Sequence, residues 1–305
     1  VTPRRLLLII GIFIVLAGQP TSTASAADCG NAINCNMDTG GASVSMTRTL
    51  LDRARNGLDL LTGEPDLRVY EYTSVTDCSM STPGGANADV PCLGAIQACA
   101  GNTPAQGLGP QVRLYRRELG ANGQPVSASW GAPLGTTCFP DLVPGKQVLG
   151  MGLILAAFHN TAFAKPTVHI QPEGNVTLVT LATYFEVNWP DAGFQPDEVD
   201  PVTLMGQQVL IRPTNVGFTY VFGDLTTSGP TLSPGGIYPD GDITHAYSKA
   251  GVYDSHIDIT YGGEYSYGGS GWLPILDNGG PATVDFPGSR QLLTVKTARA
   301  RLVIK

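Results

Sequence analysis

The chain reads as mainly β. An antiparallel β-sandwich is expected in its C-terminal half, with a small disulfide-bearing α+β region before it. Three observations lead there. Glycine is abundant, at 38 of 305 residues, while charged residues make up only 14%, well below the roughly 25% of ordinary soluble domains. Many turns and few charges suit short strands better than surface helices. Apolar residues alternate through the second half, with the two-residue period of half-buried strands. All the cysteines, Cys29, Cys35, Cys78, Cys92, Cys99 and Cys138, lie in the first half.

Residues 1–26 carry the parts of a secretory signal: Arg4 and Arg5, the apolar run Leu6–Leu16, and the small residues Ala24-Ser25-Ala26. Cleavage is expected between Ala26 and Ala27, with export. The apolar run is short of the roughly 20 residues of a membrane helix. Membrane contact is therefore expected only through an uncleaved signal anchor.

Residues 27–140 form the Cys-rich region. An even number of cysteines in an exported chain predicts disulfides. Short-range closure favours Cys29–Cys35 and Cys92–Cys99, although sequence alone does not choose among the pairings. Zinc is disfavoured: there is no C-x-x-C pair, and no histidine lies among the cysteines. Leu50, Leu51, Ala54, Leu58 and Leu61 stand at helical spacing, predicting one amphipathic helix over 47–61 that ends before Gly63 and Pro65. A strand is expected over 67–72, and a stapled loop over 76–109. A hairpin should follow, with arms at 111–119 and 126–130 around the turn 120–124.

Residues 141–165 connect the halves. Leu149–Phe158 is a ten-residue apolar run, read as a buried helix that docks the first region onto the second. Gly150-Met151-Gly152 lacks the third glycine and the preceding strand of a dinucleotide site, so no nucleotide is expected.

The second domain spans 166–305. Strands are predicted at 167–171, 176–187, 209–212, 264–272 and 291–304. A tight turn is expected at Gly262-Gly263, and a bend near Thr297, where the apolar face of the last strand changes side. Arg299, Arg301 and Lys305 would discourage edge-to-edge pairing. The clearest pattern runs from Phe218 to Tyr261. Phe218, Tyr220 and Phe222 share one face of a strand that stops at Gly223-Asp224. Tyr253, Ser255, Ile257, Ile259 and Tyr261 share one face of another, opposite Asp254, His256, Asp258 and Thr260.

Tyr220, Phe222, Gly223 and Asp224, then His245, Tyr247, Gly251 and Tyr253 after a variable loop, resemble the signature of the polycystic kidney disease (PKD) domain. That signature is roughly W-x-F-G-D-G followed by H-x-Y-x-x-x-G-x-Y. Tyr220 stands for the family's tryptophan and Leu225 for its second glycine. The resemblance covers 166–305 at most and implies an immunoglobulin-like sandwich. It implies no activity, because such folds host many functions. The layout also resembles uncharacterised secreted PKD-domain proteins of bacteria.

No G-x-S-x-G, H-E-x-x-H or P-loop pattern occurs, and no cysteine–histidine pairing in one region. The expectation is a non-catalytic protein without a cofactor. Its net charge of −7 lacks the basic stripe that nucleic acid requires. Protein or cell-wall glycan are the partners left. His245 is expected to be a structural hydrogen-bonder and His256 solvated. Asp197, Glu198 and Asp200 form one acidic loop. Asp240 and Asp242, with Asp224 nearby, are weak Ca²⁺ candidates, short of the roughly six to eight oxygens that ion takes. Tyr265, Tyr267 and Trp272, beside Tyr261, are weak candidates for stacking on a sugar or a partner, with core packing as the alternative. A Ca²⁺-dependent glycan-binding accessory or weak hydrolase is the alternative to a cell-envelope binding module.

Overall fold

Thr47 begins a helix because its side-chain oxygen accepts the Leu50 amide, satisfying one of the orphan donors at a helix start. In the computed structural model, which describes residues 33–36, 43–60, 62–139 and 146–298, this helix α1 is Arg48–Arg55. It buries Leu50, Leu51 and Ala54, as their spacing predicts. It stops at Asn56, ahead of Gly57 at φ +66°, earlier than Gly63. A glycine in left-handed backbone ends a helix at no steric cost. Residues 1–26, expected to be a signal segment, and Cys29 and Leu61 lie outside the described residues.

Around α1 the first sheet has the order β1-β2-β5-β4-β3, with β1 Ile33–Asn36, β2 Ser43–Met46, β3 Val69–Thr76, β4 Val112–Leu119 and β5 Gly135–Thr137. Its core is Met46, Leu50, Leu51, Leu114 and Phe139. The expected hairpin is corrected. β4 pairs with β3 along its length, from Val69↔Leu119 to Thr76↔Val112. Residues 126–130 form no strand; beyond the bridge Leu119↔Pro125, Trp130 lies under the Arg117 guanidinium at 4.2 Å. The loop expected over 76–109 contains a helix, α2 Leu93–Ala98.

Among the described residues the disulfides are Cys78–Cys92 and Cys99–Cys138, so the expected Cys92–Cys99 pairing is wrong. Local closure is not what selects partners. The strand register carries Arg113 to the Cys78 loop, where its guanidinium donates to the Cys78 and Ser81 carbonyls at 2.9 Å each. That contact folds the Cys78 loop back on itself. A bridge such as Cys99–Cys138, 39 residues apart, stabilises by about 4 kcal/mol in the chain-entropy picture. The Cys29–Cys35 pairing lies outside the described side chains.

Helix α3, Met151–His159, falls where the apolar run predicts. Gly150 and Gly152 serve contact rather than a phosphate. A Cβ on Gly150 would sit 2.6 Å from the Gly109 carbonyl carbon, and one on Gly152 would sit 2.9 Å from Leu108 Cβ. At its other end Phe158 packs edge-on against Phe163 at 5.4 Å. The helix therefore touches both halves of the chain. Ile96 of α2 joins the C-terminal core with Leu149, Met151, Ile154 and Phe158.

That core lies between two sheets. The smaller, β12-β8-β6, is built from β6 Thr167–Gln171, β8 Thr183–Asn188 and β12 Thr244–His245. The larger has the spine β11-β10-β13-β18-β7. Its strands are β7 Val176–Leu178, β10 Gln207–Val221, β11 Thr227–Thr231, β13 Gly251–Tyr267 and β18 Gln291–Lys296. β9 Asp200–Leu204, β14 Leu273–Pro274 and β17 Thr283–Phe286 attach to it. β15 Leu276–Asp277 and β16 Gly280–Pro281 pair with each other. Ile170 and Phe185 from the small sheet meet Phe218, Tyr220, Ile257, Ile259 and Leu293 from the large one. Alternation places every one of these side chains inward.

Three expectations change here. The strand expected over 176–187 is two strands in different sheets. The chain crosses between them at Thr180, whose φ is +64° and whose amide donates to the Tyr247 carbonyl. Gly262-Gly263 is no turn, because β13 runs through it. The glycines admit neighbours: a Cβ on Gly263 would lie 2.7 Å from the Phe158 ring. The large sheet is not wholly antiparallel, since β7 runs parallel to β18. β18 ends at Lys296; Arg299, Arg301, Leu302, Ile304 and Lys305 lie outside the described residues.

Leu225 follows the β10 end at φ +71° with its side chain fully exposed. An L-residue there is strained by roughly 1–2 kcal/mol, and no packing offsets it. Leu225→Gly should raise unfolding free energy by about 1 kcal/mol in urea denaturation; an unchanged or lower value would contradict the assigned backbone.

Candidate functional site

The residues singled out between Tyr220 and Tyr253 meet at the end of β10. Here the strand stops because Gly223, at φ +83°, lies on the Asp254 backbone, where a Cβ would come within 2.6 Å of the amide nitrogen. The preceding carbonyl, that of Phe222, points inward and accepts two hydrogen bonds. Tyr247 Oη donates at 2.9 Å and Ser255 Oγ at 3.0 Å. Burial pushes the Tyr247 phenol up to about 12, so it stays a donor at neutral pH. His245 stacks flat on Phe222, with ring centroids 4.3 Å apart, and Tyr247 meets it edge-on at 4.6 Å. Tyr253 stacks on the far side of Tyr247 at 4.5 Å and donates to the Lys249 carbonyl at 2.9 Å.

Asp224 closes this cluster from the surface side. Its Oδ2 lies 2.7 Å from His245 Nε2, and its Oδ1 accepts from the Thr226 amide and hydroxyl. Burial alone would raise its pKa. The bonds from Thr226 and His245 outweigh that and hold the carboxyl below its usual range. Both oxygens are thereby engaged. Asp242 accepts from Ser233 Oγ at 2.8 Å. Among the described residues, no group of three or more acidic, histidine or cysteine side chains is placed to share a metal ion, so Asp224, Asp240 and Asp242 do not converge. In the acidic loop, Glu198 accepts the Gln195 amide and Asp200 the Thr161 hydroxyl.

The aromatic candidates divide. Tyr265 is 1% exposed and out of reach of a ligand. Tyr267 is half-buried and donates to the Pro91 carbonyl and Gln207, tying β13 to the N-terminal half. Trp272 carries the Arg212 guanidinium over its ring at 4.3 Å, and Arg212 pairs with Glu264. His256 is not solvated as expected. Its side chain is 13% exposed, 3.6 Å from Asp258. On the backbone His256 pairs with Val221 of β10.

Sequence reasoning passed over His169, on the outer face of the small sheet. Its Nδ1 faces Glu186 and its Nε2 faces Glu173, each at 3.0 Å.

Several concavities lie among the described residues of the N-terminal half or at its border. One, of about 400 Å³, is walled by Leu108, Phe139, Val148 and Leu153, with Arg48 and Lys146 among its lining. Arg48 lies over the Phe139 ring, and Lys146 pairs with Asp89 at 2.6 Å. A second, about 260 Å³, runs between residues 85–91 and the β9–β10 turn, lined there by Met205 and Gln207. A third, about 230 Å³, opens between the C-terminal end of α1 and the outer end of β3. Arg55, Leu58, Asp66, Arg68, Tyr70 and Tyr72 line it. Outside that lining, the guanidinium of Arg116, on the strand paired with β3, lies 4.4 Å over the Tyr70 ring. The alternation Arg68-x-Tyr70-x-Tyr72 is a sequence signal for this face. Its basic partner on β4 emerges only from the register.

No family model matches the chain, and no curated protein or solved structure matches it.

The Glu186 hydrogen bond raises the His169 pKa; burial opposes it and the Glu173 bond adds to it, leaving the net value above the ordinary 6.5. A raised folded value means that this cluster stabilises fully below the unfolded pKa. The contribution is lost as pH rises through the folded one. An NMR titration should place the His169 midpoint above 6.5 and show it falling in Glu186→Gln. A wild-type midpoint at or below the ordinary value would contradict the geometry.

Proposed function

We propose that this chain is an exported, non-catalytic binding protein of the cell envelope, and that residues 166–305 form a PKD-like sandwich within it. One observation carries the reading. The side chains with the family's spacing, Phe222, Asp224, His245, Tyr247 and Tyr253, spend their polar groups on one another, on Thr226 and on the Phe222 and Lys249 carbonyls. A histidine, a carboxylate and two phenols used in this way hold a fold together. The imidazole and carboxylate that could have served as acid and base are committed to each other and to a turn.

Export is supported by the signal-like N-terminal sequence and by the disulfides Cys78–Cys92 and Cys99–Cys138, a bond type that persists in oxidising compartments. No helix among the described residues is long and apolar enough to cross a membrane. The acidic net charge of −7 disfavours nucleic acid, leaving protein or cell-wall glycan as partner.

Co-sedimentation of the purified chain with insoluble cell-wall preparations tests this. Saturable binding, unaffected by EDTA and without release of soluble sugar or peptide, is expected. Binding no greater than that of an unrelated acidic protein, or steady product release, would overturn the reading. Loss of binding in EDTA, restored by Ca²⁺, would replace it with a metal-dependent one.

A further inference from the structure

Strand β3 ends the first sheet, and part of its outer edge is open. In the order β1-β2-β5-β4-β3 it has β4 on one side only. Leu114 and Glu118 of β4 turn their carbonyls away from β3, to the Leu134 and Val126 amides. Their partners across the ladder are Ser74 and Tyr70. Two residues directly opposite each other in an antiparallel pair aim their backbone groups alike, both toward the other strand or both away from it. The backbone groups of Tyr70, Tyr72, Ser74 and Thr76 therefore point out of the sheet.

The chain covers both ends of that row itself. The Thr76 amide donates to the Ala88 carbonyl at 2.8 Å, and the Thr76 carbonyl accepts from the Cys78 amide at 2.7 Å. The Lys146 ammonium donates to the Ser74 carbonyl. At the other end the Arg68 amide donates to Asp66 Oδ1 at 3.1 Å. Between these stops, the amides and carbonyls of Tyr70 and Tyr72 have no hydrogen-bond partner among the described residues. Open space adjoins them, since Val69, Tyr70 and Tyr72 line the cleft of about 230 Å³. Two donors and two acceptors alternating along one line match another extended backbone.

We infer that the occupant is β3 of a second copy of this chain, laid antiparallel across a twofold axis at Glu71. That register sets Tyr70 of each chain opposite Tyr72 of the other. The four open groups on one strand then meet four of the same kind on its copy, as an isologous contact requires. A register shifted by two residues points one group of each chain at the Arg68 amide or the Ser74 carbonyl, both already in use. The pairing also forms two cross-strand tyrosine pairs on one face of the joined sheet. On the other face Val69, 63% exposed, comes to lie beside Thr73 of the second copy. Charge permits the approach although each chain carries −7. Beside the edge, Arg68 is paired with Asp66 and Glu71 with Arg117. The inference does not depend on what else the chain binds.

Sedimentation equilibrium of the full chain over a concentration series tests it, with Tyr70→Pro and Tyr70→Ala beside the wild type. Proline removes an outward amide, a loss that an edge strand tolerates. The alanine variant keeps the amide and loses the same ring. Wild-type mass should rise with concentration toward that of a dimer. Tyr70→Pro should associate at least about tenfold more weakly than Tyr70→Ala, because symmetry removes two hydrogen bonds for one substitution. Cross-linking reads the register with the ladder intact. Glu71→Cys faces itself across the axis at a Cα separation of about 4.5 Å and should form a covalent dimer on mild oxidation. Thr73→Cys, on the same face, is displaced from its copy by about 13 Å along the strand and should not. A chain monomeric at every concentration, equal association of Tyr70→Pro and Tyr70→Ala, or cross-linking of Thr73→Cys as readily as of Glu71→Cys would each overturn the inference. Slow hydrogen exchange at the Tyr72 amide in the dilute monomer would do so too, since another part of the same chain would then cover the edge.

Discussion

Everything in the C-terminal half hangs on a single inward-pointing carbonyl, that of Phe222. At the last residue before Gly223 the chain leaves β10, and its backbone acceptor has to find a donor inside the protein. Tyr247 and Ser255 supply two. They come from the turn before β13 and from β13 itself, so the same oxygen ties three pieces of chain together. The carbonyl needs them because a buried acceptor without a partner costs roughly 1–3 kcal/mol. The aromatic stack from Phe222 through His245 and Tyr247 to Tyr253 then fills the space around the bonds. Asp224 seals its outer edge.

The rest of the architecture adapts to that fixed point. β13 spans both halves of the large sheet, pairing with β18 through Gly251–Ser255 and with β10 beyond it. Its far end reaches the N-terminal half through Tyr267. The clamp at Gly263 is a second accommodation: α3 lays Phe158 on a strand that has surrendered its side chain at that point. The disulfide-bearing half is thus not hung on a linker. It shares a core with the sandwich sheets through Ile96, and α3 is packed on both sides.

Much of this could be read from the residues alone, and the gaps have physical causes. The alternation from Tyr253 to Tyr261 placed those side chains on one face because a strand has only two faces. The apolar run at Leu149–Phe158 located α3 for the same kind of reason. Glycine pairs were ambiguous. Gly262-Gly263 can mark a reversal or a close approach, and only the presence of Phe158 decides. The strand expected over 176–187 concealed a crossing because Val179 and Leu181 continue the alternation while Thr180 breaks the backbone. Disulfide partners depend on which loops the sheet register brings together, so nearness in sequence misled at Cys92–Cys99. The contact of Arg116 with Tyr70 was invisible for a related reason. Arg116 stands 46 residues from Tyr70, the same separation as in the Glu71–Arg117 ion pair, and only the β3–β4 pairing joins them.

The claim that the Phe222 carbonyl anchors the sandwich has a direct test in a double-mutant cycle of Tyr247→Phe and Ser255→Ala, followed by urea denaturation. Either change alone leaves one donor on the oxygen and should cost about 1 kcal/mol. Together they strand the acceptor. The account predicts a double-mutant cost exceeding the sum of the singles by about 1 kcal/mol or more. Strictly additive losses, or a double mutant as stable as the wild type, would contradict it.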